Sequence, residues 1–328
     1  MNLRKLIVAA FVTLGALACK KEETSTVSPS LEGMLDIKGL PEFVSPGQTV
    51  SLTPEGIIHP EGGDITYTWK VSPTKPKTET GYQYNFTFSD TLQTCTIYCS
   101  ASAEGYSGAS LSLYATVVKG GINGSIKGID FPTGDNVPAK DGTYYFKQIG
   151  SQTWMMNNVA EKDYGKAYRN SEVMSDVLGR YYSYADAVAV CESLSSSSET
   201  WALPTIEDWR TLESHIKSSI ESDPTMGKSL AAALMADATF NSNTMWQYRP
   251  EVGDITNASG FSALPAGYTN LKGASFDGVN EYAAFWTATE GAKANEAYSV
   301  YLYYNQPDLF VGSRDKESFG ASVRCIRK

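Results

Sequence analysis

The sequence predicts two domains in series, an all-β sandwich followed by an α+β domain, and three observations predict it. Apolar residues alternate with polar ones at period two in short runs between residues 50 and 117, with Pro and Gly in the breaks. Two segments beyond residue 180 show helical spacing behind capping residues. The chain has 328 residues, more than the roughly 250–300 over which a single core keeps growing. A 12% aromatic share, 28 Gly and a charged fraction of 19% suit turn-rich extracellular β modules. The net charge of −9, with no basic stripe, excludes a nucleic-acid partner, because binding a polyanion requires a cationic footprint that releases counterions.

The first element, residues 1–18, reads as a signal peptide. Arg4 and Lys5 give a positive start, Leu6 to Leu17 an apolar stretch, and Ala16-Leu17-Ala18 the small residues of a cleavage site. The apolar stretch is shorter than the about 20 residues that cross a bilayer. Cys19 directly after it resembles the lipobox of bacterial lipoproteins, although Ala16 stands where that pattern prefers Leu or Val. The resemblance implies an acylated Cys19 that anchors the chain, with the membrane engaged through the lipid only. Lys20-Lys21-Glu22-Glu23 resembles the signal that sends some lipoproteins to the outer face of the outer membrane. Residues 19–34 are expected to form a flexible tether of polar residues.

Residues 35–119 form the expected sandwich. Val50 and Leu52, then Ile65 to Val71, Tyr82 to Phe88, and Leu111 to Val117 each alternate, and the Pro- and Gly-containing breaks give the rhythm of an immunoglobulin-like or related fold. Trp69 takes an inward core position. Cys95 and Cys99 point to one face of the same strand, where about 13 Å would separate them, beyond the about 7 Å that a disulfide allows. Both read as buried small hydrophobes.

Residues 120–140 lose periodicity and are expected to form a linker, and residues 141–328 the second domain. One helix starts behind Ser183 with Tyr184, Ala187, Val188 and Cys191 on a single face. A second follows Pro204-Thr205, with Asp208 closing a capping box and Ile206, Trp209, Leu212, Ile216 and Ile220 as the inward stripe. Strands are expected over 283–287, 298–304, 309–312 and 322–326. A domain with long loops needs a staple, and Cys191 with Cys325 is the sensible pair left in an exported chain.

Seven motifs run in order through this second domain. They are Ile149 to Asn158 (IGSQTWMMNN), Gly179 to Tyr182 (GRYY), Trp201 to Thr205 followed by Trp209, Gly227 to Leu230, Gly260 to Tyr268 (GFSALPAGY), Phe285 to Glu290 (FWTATE) and Ser322 to Cys325 (SVRC). Together they resemble the FISUMP domain, a major paralogous domain of bacterial surface lipoproteins. That resemblance implies a C-type-lectin-like fold, in which a Cys on the first helix bridges to one on the last strand, and a role in surface adhesion or ligand capture.

Gln306-Pro307-Asp308 matches a triplet of sugar-binding calcium lectins, yet it lies in a short hairpin with no Trp-Asn-Asp after it and reads as a turn. Calcium takes about six to eight oxygen ligands; the spacing of Asp254, Asp277 and Glu281 fits no cage, so neither metal nor cofactor is expected. Formylglycine-generating enzymes share the general fold but work with a pair of active-site cysteines, whereas here the two would be tied together. Neither His59 nor His215 stands beside a Cys or Ser to act as base, so no catalytic residue is expected and the protein is read as no enzyme. Ligand recognition is instead expected at Trp246, Tyr248, Arg249, Asn270, Phe276 and Asp277 in the loops and at Tyr301 and Tyr303 on the strand face opposite Val300 and Leu302. The expected ligand is a glycan or a host or microbial surface protein. The alternative is a structural or fimbria-like assembly subunit.

Overall fold

Alternation in sequence becomes separate cores in the computed structural model, which describes residues 28–74, 78–120, 125–132, 136–247, 250–272 and 275–328. The expected signal peptide and Cys19 lie outside the described residues. The chain divides between Lys119 and Gly120 into two units.

Among the described residues the first unit contains eight strands: β1 (Glu32–Lys38), β2 (Phe43–Val44), β3 (Thr49–Ile58), β4 (Thr66–Ser72), β5 (Glu79–Thr80), β6 (Tyr84–Thr87), β7 (Thr94–Ser102) and β8 (Ala109–Val117). They form a three-stranded sheet, β1-β3-β6, and a five-stranded sheet, β2-β8-β7-β4-β5. Inward residues of both sheets, among them Val50, Leu52, Trp69, Ile97 and Val117, make one core. The Trp69 indole stacks on Tyr84 of the other sheet at 5.5 Å and donates to the Gly81 carbonyl at 2.9 Å, so burying the ring leaves no N–H unpaired. Cys95 and Cys99 are buried and unbridged, and burial pushes their thiols up to about 11 and about 12.

The first residues of β1, Glu32 to Met34, were expected in the tether, but the strand starts there and Leu31 before it is buried in this core with Leu35 and Ile37. The register shifts between Gly33 and Asp36, and this bulge interrupts the period-two pattern in the sequence. Gly33 has φ +89°, and a Cβ there would meet the Gly56 carbonyl oxygen at 2.1 Å, so no other residue fits.

The second unit has shorter elements. Its first half contains β9 (Ile126–Lys127), β10 (Asn136–Pro138), β11 (Thr143–Ile149), β12 (Gln152–Met155), β13 (Lys166–Ala167), α1 (Ser175–Leu178), β14 (Arg180–Tyr181), α2 (Tyr184–Ser193), β15 (Trp201–Ala202) and α3 (Ile206–Ser222). Its second half adds α4 (Leu230–Leu234), β16 (Thr239–Phe240), β17 (Asn243–Thr244), β18 (Tyr268–Asn270), β19 (Ser275–Asp277), β20 (Tyr282–Glu290), β21 (Glu296–Tyr303), β22 (Leu309–Asp315), β23 (Phe319–Gly320) and β24 (Ile326–Arg327). The expected linker supplies β9, which pairs with β16, and β10, which pairs with β11.

Helix α2 is capped by the Ser183 side chain, which accepts from the Asp186 N–H. Helix α3 opens with the full Thr205–Asp208 capping box, reinforced by an ion pair from Lys328 to Asp208 at 2.7 Å. Strands β20 and β21 form a wall between two cores. Ala283, Phe285, Val300 and Leu302 pack with Trp209, Leu212 and Ile216 of α3, while Ala284, Trp286 and Ala297 pack with Ala187, Val190 and Cys191 of α2. Cys191 and Cys325 form a disulfide that joins α2 to the C-terminal segment, with Cα atoms 5.6 Å apart. Residues 323–325, expected as strand, make no regular ladder: the Val323 and Cys325 carbonyls accept from Val159 and Met155 in an irregular segment.

The wall is fixed from behind by Arg324, which is fully buried. Its guanidinium donates to Asn158 Oδ1 (2.7 Å) and to the carbonyls of Met155 (3.2 Å), Phe261 (2.6 Å) and Ser262 (2.7 Å). Phe261 and Phe285 offer their rings to it at 5.0 and 5.7 Å. Neutral acceptors therefore meet its donors, and burial lowers its pKa to about 9, which leaves it charged at neutral pH. No helix among the described residues is long and apolar enough to cross a membrane.

Candidate functional site

The register of β20, β21 and β22 decides which rings meet. Tyr282 lies opposite Tyr303, and Tyr301 lies between Ala284 on one side and Phe310 on the other. These residues share the face that Val300 and Leu302 do not use, as alternation requires. Tyr282 and Tyr303 are 4.3 Å apart by ring centroid, Tyr282 and Tyr301 6.0 Å, and Tyr301 stacks on Phe310 at 5.6 Å. Tyr268 of β18 joins from the neighbouring sheet, 5.8 Å from Tyr282 and stacked on Phe319 at 5.5 Å. The exposed Arg314 reaches over both Phe319 (5.2 Å) and Tyr301 (5.9 Å).

The result is a continuous, half-buried aromatic face with one cation at its margin. Gly312 sits on that face between Phe310 and Arg314, and a Cβ there would stand 3.5 Å from the Tyr301 ring. A larger side chain would cover the ring. Burial and the neighbouring Tyr304 hydroxyl push Tyr303 up to about 12, and burial raises Tyr282, so these phenols are neutral at physiological pH. A face of this kind can stack on a planar or sugar ring and exchange hydrogen bonds through its hydroxyls.

The expected ligand residues fall into separate groups. Tyr301 and Tyr303 are on the aromatic face. Trp246 is not available: it is 2% exposed, lies in the core against α3 and donates its indole N–H to the Ala263 carbonyl at 3.1 Å. It corrects the expectation that loop aromatics stay at the surface, because in this unit loop side chains fill space that short elements leave open. Tyr248 and Arg249 lie outside the described residues. Phe276 is half-buried against Tyr168 and Tyr181 at 5.4 and 5.3 Å, which makes it a packing residue of the β18–β19 hairpin. Asn270 is exposed and uses its side-chain oxygen to accept from the Lys272 N–H, and Asp277 is exposed opposite Tyr268 in the hairpin register.

Tyr282, Phe310, Arg314 and Phe319 were not singled out from sequence. Three of them could have been found, since Phe310 and Arg314 share parity with Gly312 on β22 and Tyr282 opens the run that contains Trp286. Gln306-Pro307-Asp308 is a turn, with the Gln306 N–H on the Tyr303 carbonyl and Asp308 paired to Lys217. Among the described residues no three His, Cys, Asp or Glu side chains come together as a metal site would require. A cleft of about 380 Å³ opens elsewhere in this unit, lined in part by Phe131, Tyr145, Asn157 and Asp176. Burial raises the Asp176 carboxyl, but none of the expected ligand residues lines the cleft.

No curated protein matches the chain. Residues 148–327 match the Fibrobacter succinogenes major domain, a span of more than half the chain that takes in the helices, the disulfide and the aromatic face, and the protein belongs to that family.

Proposed function

We propose that the protein is a cell-surface lipoprotein, held at the outer membrane by acylated Cys19, that serves as a non-enzymatic binding or adhesion module. In this reading the first unit is an immunoglobulin-like sandwich and the second a C-type-lectin-like domain whose aromatic face holds a glycan. The observation that carries it is the cluster of Tyr268, Tyr282, Tyr301, Tyr303, Phe310 and Phe319 with Arg314 at its edge. The lectin-like assignment draws support from the bridge between α2 and the C-terminal segment. The non-enzymatic reading rests on the same bond, since a disulfide sulfur is no nucleophile. The edges of the first unit argue against assembly by strand addition: β2 and β5 have two residues each, β6 has four, and β1 is bulged.

The test is a glycan array probed with residues 28–328, a span that keeps Leu31 and Leu35 in their core, with calcium and with chelator. Saturable binding is expected, weakened roughly tenfold or more by Tyr301→Ala with Tyr303→Ala, as loss of two stacking rings implies. Arg314→Ala, at an exposed position, should weaken it without disturbing the fold. Folded protein that binds no glycan, or variants that bind as well as the parent, would sink this reading and turn the search to a protein ligand.

A further inference from the structure

The outer face of the five-stranded sheet in the first unit has a composition that packing does not require. Inward residues of β4, β7 and β8 fill the core, while the outward ones run from Thr66 to Ser72, from Thr94 to Ser102 and from Ser110 to Thr116. Every one of these outward residues is Ser, Thr or Tyr except Lys70. The register arranges them in rows: Lys70, Tyr98 and Ser112 side by side, and Ser72, Thr96 and Tyr114 in the next. Tyr98 and Tyr114 are 44% and 60% exposed, so their rings are open to a ligand. As diagonal neighbours on antiparallel strands they stand about 7–8 Å apart. Of these outward hydroxyls only that of Ser102 is bonded among the described residues, donating to the Thr66 carbonyl at 3.4 Å.

The chemistry of the face selects its occupant. With one cation it does not suit a nucleic acid or an anionic membrane. It also lacks the apolar centre, Met and Arg of a protein interface, in which Ser is depleted. Hydroxyl groups at strand spacing, about 4.8 Å across and about 6.8 Å along, present repeated donors and acceptors to a ligand that repeats as well. Two uncharged surfaces exchange hydrogen bonds without stripping a charge of its water, and the two tyrosines can stack on sugar rings.

We propose that this sheet face is a second binding surface, one that docks a packed, uncharged polysaccharide. It is separate from the glycan site of the second unit and does not depend on it.

The experiment measures depletion of the full chain from solution by insoluble cellulose and insoluble chitin, with anionic polygalacturonate as control. The parent protein is expected to bind at least one neutral solid and to ignore polygalacturonate. Tyr98→Ala with Tyr114→Ala should weaken binding roughly tenfold or more, and Ser100→Glu with Ser112→Glu, which places charge in the lattice while keeping both rings, should also weaken it. Unchanged thermal midpoints verify that these surface variants fold. In the Tyr301→Ala, Tyr303→Ala background, which disables the aromatic face of the second unit, the solids should still be bound and the two sheet variants should still weaken that binding, which separates this surface from the one in the second unit. Binding to neither solid, full binding by both sheet variants, or loss confined to the Tyr301 and Tyr303 variant would each overturn the proposal.

Discussion

The two units solve the same problem by different means. In the first, long antiparallel ladders hold the core and the two cysteines inside it remain free thiols. In the second, eleven strands among the described residues have only two or three residues outside the β20-β21-β22 and β11-β12 ladders, and side chains do the joining: a disulfide, a buried arginine and an indole ring drawn in from a loop. Regular ladders satisfy backbone groups wherever they run, whereas irregular backbone needs specific side chains to meet each orphaned carbonyl. The first unit should therefore tolerate substitution broadly, and the second should fail at a few points.

The largest effect is expected at Arg324. Changing it to Met strands three carbonyls and the Asn158 oxygen in a dry core. At about 1–3 kcal/mol for each buried acceptor left unpaired, a loss of about 4 kcal/mol or more is expected for the second unit, measured by urea unfolding, with the first unit's transition unmoved. Equal destabilisation of both units would break the comparison.

Next comes the covalent link. Cys191→Ala with Cys325→Ala opens a loop with a sequence separation of 134 and should cost about 2–5 kcal/mol. Dithiothreitol should reproduce that loss in the parent protein and leave the first unit unchanged, because Cys95 and Cys99 are already reduced there.

The smallest effect sharpens the comparison through pH. Burial tends to raise the Asp208 carboxyl, but Lys328 and Thr205 outweigh it and hold the group below its ordinary value. A depressed folded pKa gives stability that is complete above the ordinary carboxylate value, about 4, and that is lost as pH falls through the folded value. Asp208→Asn should cost about 1 kcal/mol near neutrality, and thermal melts of variant and parent should converge in acid. A constant gap from pH 7 to pH 2 would refute the assignment.

How far the sequence could be read follows the same division. Strands β3, β4, β7 and β8 were legible because period-two alternation is imposed by a half-buried sheet, and α2 and α3 because caps and stripe coincide. Strand β1 was hidden by the Gly33 bulge, which offsets the alternation at the point where a reader expects it to continue. In the second unit the pairing of Cys191 with Cys325 could be read, yet Trp246 was misplaced and Arg324 passed unnoticed. No periodicity marks a loop residue that turns inward, and a charged residue near the end of a chain gives no sign that four acceptors wait for it. The aromatic face was half legible: Tyr301 and Tyr303 showed their parity within one strand, while their partners Tyr282 and Phe310 depended on register between strands.

The disulfide also has a mechanical meaning. Every ring of the aromatic face, from Tyr268 to Phe319, lies inside the covalent loop closed by Cys191 and Cys325. When the chain is stretched from its two ends, tension bypasses that loop and the oxidised protein cannot lengthen through it. Reduction releases a separation of 134 residues, roughly 450 Å of contour length at about 3.4 Å per residue, so an oxidised molecule under pull keeps the strands of its aromatic face out of the path of the force.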